Sequence, residues 1–259
     1  MPVLFMRNLK VFVLLSLFML LLPATLAHAV SKPVVGVSTV YMEKAGAVNL
    51  SVFIDSDERI AGGSFDVVYD PTLLTVKDKA VKEGTVWSNQ LKAINSAELG
   101  KVSVAWAQAT GVSMKGTVIE FPATVIAAGA GSTMNLTLKN VKLFDAQGNE
   151  ISVQVLNGQV KPFTGDVKAH PGTVEVNKEW TIRLSTPYNP ATLNNQTVTV
   201  KRGTTVVEVT VKPINATSFK MTPKNPYAKG KHTLEITDQL RSEHGGKLNK
   251  PVRHEFTVK

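Results

Sequence analysis

The sequence predicts an all-β protein built from two β-sandwiches, and three observations support this fold class. Apolar and polar side chains alternate along most of the chain, which is the period of a half-buried strand. Turn-forming residues interrupt the alternation about every 8 to 12 residues, a spacing typical of sandwiches. Segments with a helical period are nearly absent.

The first 29 residues form a targeting pattern rather than part of a fold. Arg7 and Lys10 precede an apolar run from Val11 to Leu22, and the small residues Ala27-His28-Ala29 follow it. The run is shorter than the roughly 20 residues that a bilayer requires. We predict a secretory signal peptide at 1–29 and a mature chain from Val30, secreted to the extracellular space or cell wall without a membrane span. An uncleaved membrane anchor is the alternative.

Composition and charge restrict the kinds of site and partner that the chain can have. The chain has no cysteine, which excludes a disulfide scaffold and a thiolate zinc site. Residues 30–161 carry 12 Lys and Arg against 12 Asp and Glu, whereas residues 162–259 carry 15 against 8. Nucleic acid is not an expected partner of an exported protein. The basic second half instead suggests an anionic wall polymer, or simply a soluble basic surface.

Two sets of strands divide the mature chain into two predicted domains, 30–161 and 166–259, joined by a linker at 162–165. The linker Pro162-Phe163-Thr164-Gly165 interrupts the alternation. In the first half, strands are predicted near 34–40, 47–54, 63–69, 73–77, 101–107, 117–125, 134–138, 141–144 and 151–161. In the second half they are predicted near 173–176, 180–184, 197–200, 206–212, 218–221, 231–236 and 254–258, about the number in an immunoglobulin-like sandwich.

Several sequence elements in the first half occur in a characteristic order. They are Gly63-Ser64-Phe65-Asp66-Val67-Val68-Tyr69-Asp70-Pro71, Val102-Ser103-Val104-Ala105-Trp106-Ala107, Gly116-Thr117-Val118-Ile119-Glu120-Phe121, Gly131-Ser132-Thr133 and Asn157-Gly158-Gln159-Val160. With these elements, residues 33–161 resemble a cohesin domain. Residues 166–259 more loosely resemble the Ig-like domains of bacterial surface-layer and wall proteins, through segments such as Trp180–Pro187 and Phe256-Thr257-Val258.

The resemblance implies a cohesin-like jelly-roll β-sandwich followed by an Ig-like β-sandwich. It also implies that the first half is a non-catalytic module that holds the docking segment of another protein, such as a dockerin-like segment, in a polysaccharide-degrading or cell-surface assembly. One departure is clear. Type I cohesins carry an Asn and an Asp that contact the docking helix where this chain has Gly62 and Ser64.

Strand alternation assigns the two faces of the predicted sheet. In residues 63–69 it directs Phe65, Val67 and Tyr69 into the core and their neighbours outward. In residues 101–107 it buries Val102, Val104 and Trp106, which leaves an outer row of small residues. Such a flat surface suits a partner lying across the sheet, although it equally suits an unoccupied sheet. The predicted partner-binding residues are Ser64, Asp66, Val68, Ala105, Gln108 and Thr110.

No catalytic or metal site is predicted. The four mature histidines lie outside any known catalytic motif, and we expect them at the surface. Asp55, Asp57 and Glu58 are expected in a solvated turn. The segment 145–150 has one leading carboxylate where a calcium loop needs several. We therefore expect no enzyme activity, no metal and no cofactor, and we expect Asp70 to fix a turn ahead of Pro71.

Direct binding of a carbohydrate or cell-wall polysaccharide is the main alternative function, and a structural spacer is a third. Sugar-binding sandwiches use several exposed aromatic rings on one face. Here the three tryptophans are dispersed, and only Trp87 is predicted in a loop, where packing is the expected role.

Overall fold

The computed structural model describes residues 32–259, so the predicted signal peptide lies outside the described residues. Their helical elements are two short 3-10 turns, Ala127–Gly129 and Pro190–Thr192, and no helix among them is long and apolar enough to span a membrane. The all-β prediction is confirmed. The strands are β1 (Val34–Val37), β2 (Val40–Met42), β3 (Gly46–Val68), β4 (Leu74–Val76), β5 (Lys82–Glu83), β6 (Leu91–Asn95), β7 (Lys101–Val125), β8 (Met134–Phe144), β9 (Gln154–Leu156), β10 (Gly158–Pro162), β11 (Asp166–Val174), β12 (Trp180–Arg183), β13 (Val198–Arg202), β14 (Thr205–Val207), β15 (Val209–Asn215), β16 (Ser218–Pro223), β17 (Gly230–Ile236) and β18 (Val252–Val258).

Two long strands, β3 and β7, organise the first half. They pair antiparallel over nearly their whole lengths, so segments predicted as separate strands are continuous. The prediction of a turn at residues 55–58 is wrong, because these residues are part of β3. Lys115 on β7 stabilises the extension, with its Nζ 3.4 Å from Asp55 Oδ1 and 2.8 Å from Asp57 Oδ1. Three register shifts interrupt the pairing, and shifts of this kind bend and twist strands.

One hydrophobic core fills the first half. Both parts of β3 contribute to it, for example Leu50 and Phe65, and so do both parts of β7, for example Val104 and Phe121. β1 and β8 pair with β3, while β4, β5 and β6 pair with β7. Burying these side chains on both long strands closes the sheet around one core.

The second half has its own core between two sheets. One sheet has the order β11-β18-β17-β13-β14, and the other has the order β12-β16-β15. Phe219, Met221 and Val200 are fully buried there. The prediction that the histidines lie at the surface is wrong for His232, which is 2% exposed. Its ring stacks on Phe256 at 5.4 Å, because β17 and β18 place these two residues opposite each other.

Polar and aromatic side chains join the two halves at what we call the inter-half contact. Asp238 accepts a 2.9 Å hydrogen bond from the Tyr41 hydroxyl and a 2.5 Å hydrogen bond from Lys161 Nζ. Arg253 donates at 2.8 Å to both Glu43 and Glu235. The bonds of Asp238 with Tyr41 and Lys161, and the bond of Arg253 with Glu43, join the two halves, whereas the Arg253–Glu235 bond lies within the second half.

The predicted linker is packed into this contact. The Phe163 ring lies 5.8 Å from the Tyr41 ring and 3.9 Å from the Arg253 guanidinium. Gly165 approaches the backbone of Pro251 so closely that a Cβ atom would lie 1.9 Å from its carbonyl oxygen. The domain boundary at 162–165 remains a prediction, but its residues are structural parts of the contact.

Candidate functional site

Four strands in the order β8-β3-β7-β6 form an open surface on the first half. Their registers place residues in rows across the sheet, and directly opposed residues share a face. The rows that matter are Gly62–Ala107–Leu91, Lys142–Ser64–Ala105–Ala93, Lys139–Asp66–Ser103–Asn95 and Thr137–Val68–Lys101. We call the solvent side of these rows the outer face.

The predicted inward and outward assignment is confirmed. Phe65 is 1% exposed, Val67 is fully buried and Tyr69 is 6% exposed. Ser64, Asp66 and Val68 are half-buried on the opposite side. The alternation of β3 therefore separates a core side from a solvent-facing side within one strand.

Small side chains occupy the centre of the outer face. Ser64 lies opposite Ala105, and Ala105 lies opposite Ala93 on the edge strand β6. Ala105 and Ala93 are both exposed. No side chain in this row besides Lys142 on β8 extends beyond a hydroxymethyl group, so the centre is shallow enough for a partner's backbone or helix to approach closely.

One leucine lies exposed at the edge of the outer face. Leu91 on β6 is opposite Ala107 and is 81% exposed. Sequence reasoning missed Leu91 and Ala93 because no strand was predicted between residues 78 and 100. The available signal was the alternation in Leu91–Asn95, which covers only five residues.

Asp66 gives the outer face a polar end. Its Oδ2 accepts a 2.7 Å hydrogen bond from Asn140 Nδ2. Partial burial opposes ionisation, but hydrogen bonds from Ser103 and Asn140 and the charge of Lys101 outweigh it and hold the pKa of Asp66 below its usual value. The carboxylate is therefore ionised and available as an acceptor at neutral pH.

Gln108 and Thr110 lie apart from these rows. The pairing of β3 and β7 shifts between Ile60 and Gly62, and residues 108–111 form the extra length opposite. Gln108 donates a 2.7 Å hydrogen bond to the Ile60 carbonyl, which closes this irregularity. Thr110 is exposed beside it. The structure thus groups Ser64, Asp66, Val68 and Ala105, and gives Gln108 a structural contact of its own.

Trp87 packs against the first core. Its indole nitrogen donates a 2.6 Å hydrogen bond to the Val118 carbonyl, and its ring meets Trp106 edge-on at 5.7 Å. The packing role expected for Trp87 is confirmed. A ring held in this way does not form an open stacking platform.

The acidic turns are also internally satisfied. Asp70 accepts bonds from the Thr72 backbone at 2.8 Å and the Thr72 hydroxyl at 2.6 Å, which confirms its role in the turn. Asp145 accepts from the backbone of Gln147 and Asn149. Within residues 32–259, no group of three or more His, Cys, Asp or Glu side chains is arranged to hold a metal ion.

Comparison with known proteins identifies the first half. The family model described as "Cohesin domain" matches residues 34–161, just under half of the chain and nearly the whole of the first strand set. The first half is thus similar to cohesin domains over these residues. No curated protein matches the chain.

Solved structures similar to the chain include several cohesins. A non-cellulosomal cohesin from Archaeoglobus fulgidus is 20% identical, covering 52% of this chain and 93% of its own, with a TM-score of 0.45. The sixth cohesin of scaffoldin B from Acetivibrio cellulolyticus, solved with a dockerin, is 22% identical over 51% of this chain and 99% of its own, at 0.46. A type I cohesin from Clostridium thermocellum, also in a dockerin complex, is 16% identical over 51% and 100%, at 0.46.

Proposed function

We propose that this chain is an exported, non-catalytic docking protein whose cohesin domain holds a protein partner on the outer face. The observation that supports this most is the combination of a cohesin domain with a flat, open row of small residues, Ser64–Ala105–Ala93, flanked by Leu91. Contiguous exposed apolar surface on a soluble protein commonly marks an interaction site.

The partner expected here differs from one bound chiefly through hydrogen bonds. Where the sequence resemblance leads one to expect an Asn and an Asp, this chain has Gly62 and Ser64, and their row neighbours are alanines. Apolar contacts near Leu91 and Ala107 would therefore carry affinity, while Asp66 and Lys101 at the other end would orient the partner by charge. We infer a dockerin-like segment with an apolar helix face.

The wider setting is part of the same proposal. The predicted signal peptide supports secretion to the extracellular space or cell wall, and the second half would serve as an Ig-like module on the same chain. A polysaccharide-degrading or cell-surface assembly is the proposed context. Binding of an anionic wall polymer by the basic second half is the second candidate, supported by its excess of Lys and Arg.

Affinity capture tests the proposal. Residues 32–259 would be immobilised and exposed to the secreted proteins of the source organism, with Ala105→Arg and the matched variant Ala169→Arg in parallel. Ala169 is an exposed alanine on strand β11 of the second half. Mass spectrometry should find a protein retained by the wild type and Ala169→Arg but lost with Ala105→Arg. Equal retention by all three would contradict docking on the outer face.

A further inference from the structure

A cavity of about 340 Å³ lies between the two halves, away from the outer face. Its apolar lining comes from the first half and includes Val37, Phe53 and Leu156. Phe53 is 8% exposed yet belongs to neither hydrophobic core, because a register shift between Val52 and Phe53 interrupts the alternation of β3. The far end of the Phe53 ring lies against Gly36, where it leaves no room for a Cβ atom.

Amide side chains from the second half line the opposite wall. The side-chain oxygen of Asn189 accepts from the backbone of Ala191, and that of Asn194 accepts from the backbone of Gln196 and Thr197. Gln196 Oε1 accepts from the Ser51 hydroxyl. Each of these oxygens already accepts at least one hydrogen bond, whereas the NH₂ groups of the three amides donate none within the described residues and can contact a ligand. The wall therefore offers donors.

Charge on the lining has one sign. Arg241 lines the cavity, and no Asp or Glu is among its described lining residues. The guanidinium makes one long hydrogen bond, 3.4 Å to the Gly245 carbonyl, out of the five that its N–H groups can donate. A guanidinium with free donors favours a carboxylate.

The hydroxyl of Thr39 provides a second, independent indication of a ligand. Thr39 lines the same cavity and is 6% exposed, and its Oγ1 is buried without a hydrogen-bond partner in the described structure. Leaving a buried hydroxyl unpaired is costly, and such groups in native proteins call for an explanation. A ligand that fills the cavity would supply the partner.

We propose that this cavity binds an acidic saccharide, with a sugar carboxylate on Arg241 and ring hydroxyls on the amide NH₂ groups and Thr39. Its volume is in the range of small-ligand sites. The apolar C–H face of a sugar ring matches Phe53 and Leu156, and the donor-rich wall matches the many acceptor oxygens of a uronate. This site is independent of the outer face, so its test does not depend on the docking proposal.

Calorimetric titration of residues 32–259 with trigalacturonate tests the assignment. We expect saturable binding that weakens about tenfold in Arg241→Gln, since a charge-assisted hydrogen bond is lost. Thr39→Val should also weaken binding without lowering the melting temperature, because its hydroxyl makes no hydrogen bond to the protein. Matched controls are Arg183→Gln, an exposed strand arginine, and Thr199→Val, whose buried hydroxyl is likewise unpartnered but lies outside this cavity.

Two comparison ligands sharpen the result. A neutral trisaccharide should bind at least tenfold more weakly, and a triglutamate peptide should not saturate. The proposal is overturned if trigalacturonate does not bind, if the neutral sugar or the peptide binds as well, or if Arg241→Gln and Thr39→Val both bind like the wild type.

Discussion

The inter-half contact and the outer face are two surfaces of the same first half, but they are built from opposite kinds of residue. At the inter-half contact, large aromatic and charged side chains such as Tyr41 and Lys161 are paired with groups of the second half. On the outer face, alanines and a serine lie beside the 81% exposed Leu91. The second half covers the first of these surfaces, whereas the outer face is open to solvent, and we propose that a separate partner docks there.

The largest expected effect is a difference in stability between substitutions on the two sides of β3. Tyr69→Ala should lower the free energy of unfolding by about 3–5 kcal/mol, since the ring is buried in the first core. Val68→Arg, one residue earlier on the outer face, should change it by less than about 0.5 kcal/mol. Chemical denaturation measures both. If Val68→Arg unfolds the domain and Tyr69→Ala does not, the assignment of the two faces is reversed.

The next effect tests how much Arg253, a residue of the inter-half contact, contributes to stability. Arg253→Met should cost about 3 kcal/mol, because it removes the ion pair with Glu43 of the first half and one of the two cations paired with the almost fully buried Glu235 carboxylate of the second half. Arg183→Met, at an exposed strand position, should change stability by less than about 0.5 kcal/mol. A similarly small loss in Arg253→Met would show that neither its pair with Glu43 nor its pair with Glu235 stabilises the protein.

A substitution on the outer face should change the free energy of partner binding by less than the two stability changes above. Once a partner is identified, Val68→Arg should weaken its binding by about 2 kcal/mol, since a long cation replaces a small apolar residue in a flat interface. Titration calorimetry measures the change, with Ala169→Arg as the control. Unchanged affinity in Val68→Arg would move the site off this part of the sheet.

The smallest effect is a pH dependence at the inter-half contact. Burial opposes the charge of Asp238, but hydrogen bonds from Lys161 and Tyr41 outweigh it and lower the pKa of this carboxyl. Because the pKa of Asp238 is lower in the folded protein than in the unfolded chain, where it is near 3.8, the ionised carboxylate stabilises the fold at pH values above 3.8. This stability is lost as the pH falls through the pKa of the folded protein. Asp238→Asn should therefore be less stable at pH 7, by about 1 kcal/mol, and lose less stability on acidification. Parallel acid-unfolding curves for the two proteins would contradict this.

Local sequence patterns were sufficient to predict much of the fold and part of the candidate site. Alternation in residues 63–69 and 101–107 correctly placed Phe65, Tyr69 and Trp106 inward and Ser64 and Ala105 outward, because one buried face imposes a period of two. Asp70 was likewise predictable, since its turn is formed within two residues.

What escaped prediction depends on distant residues or on broken alternation. Asp238 and Tyr41 are 197 positions apart, and nothing local marks either as part of a contact. Phe53 leaves the first core because of a register shift, which a strict period of two cannot anticipate. His232 was expected at the surface, but its position opposite Phe256 on β18 buries it. The edge strand β6 was too short to recognise, so Leu91 and Ala93 were missed.

Thiol footprinting tests the central claim most directly, because the chain has no cysteine of its own. Ala105→Cys and Ala169→Cys would each carry a single thiol at an exposed strand position, one on the outer face and one on the second half. Maleimide labelling would be timed with and without saturating partner. Docking on the outer face predicts at least tenfold slower labelling of the Ala105→Cys variant and no change for Ala169→Cys. Unchanged labelling of Ala105→Cys under saturation would contradict it.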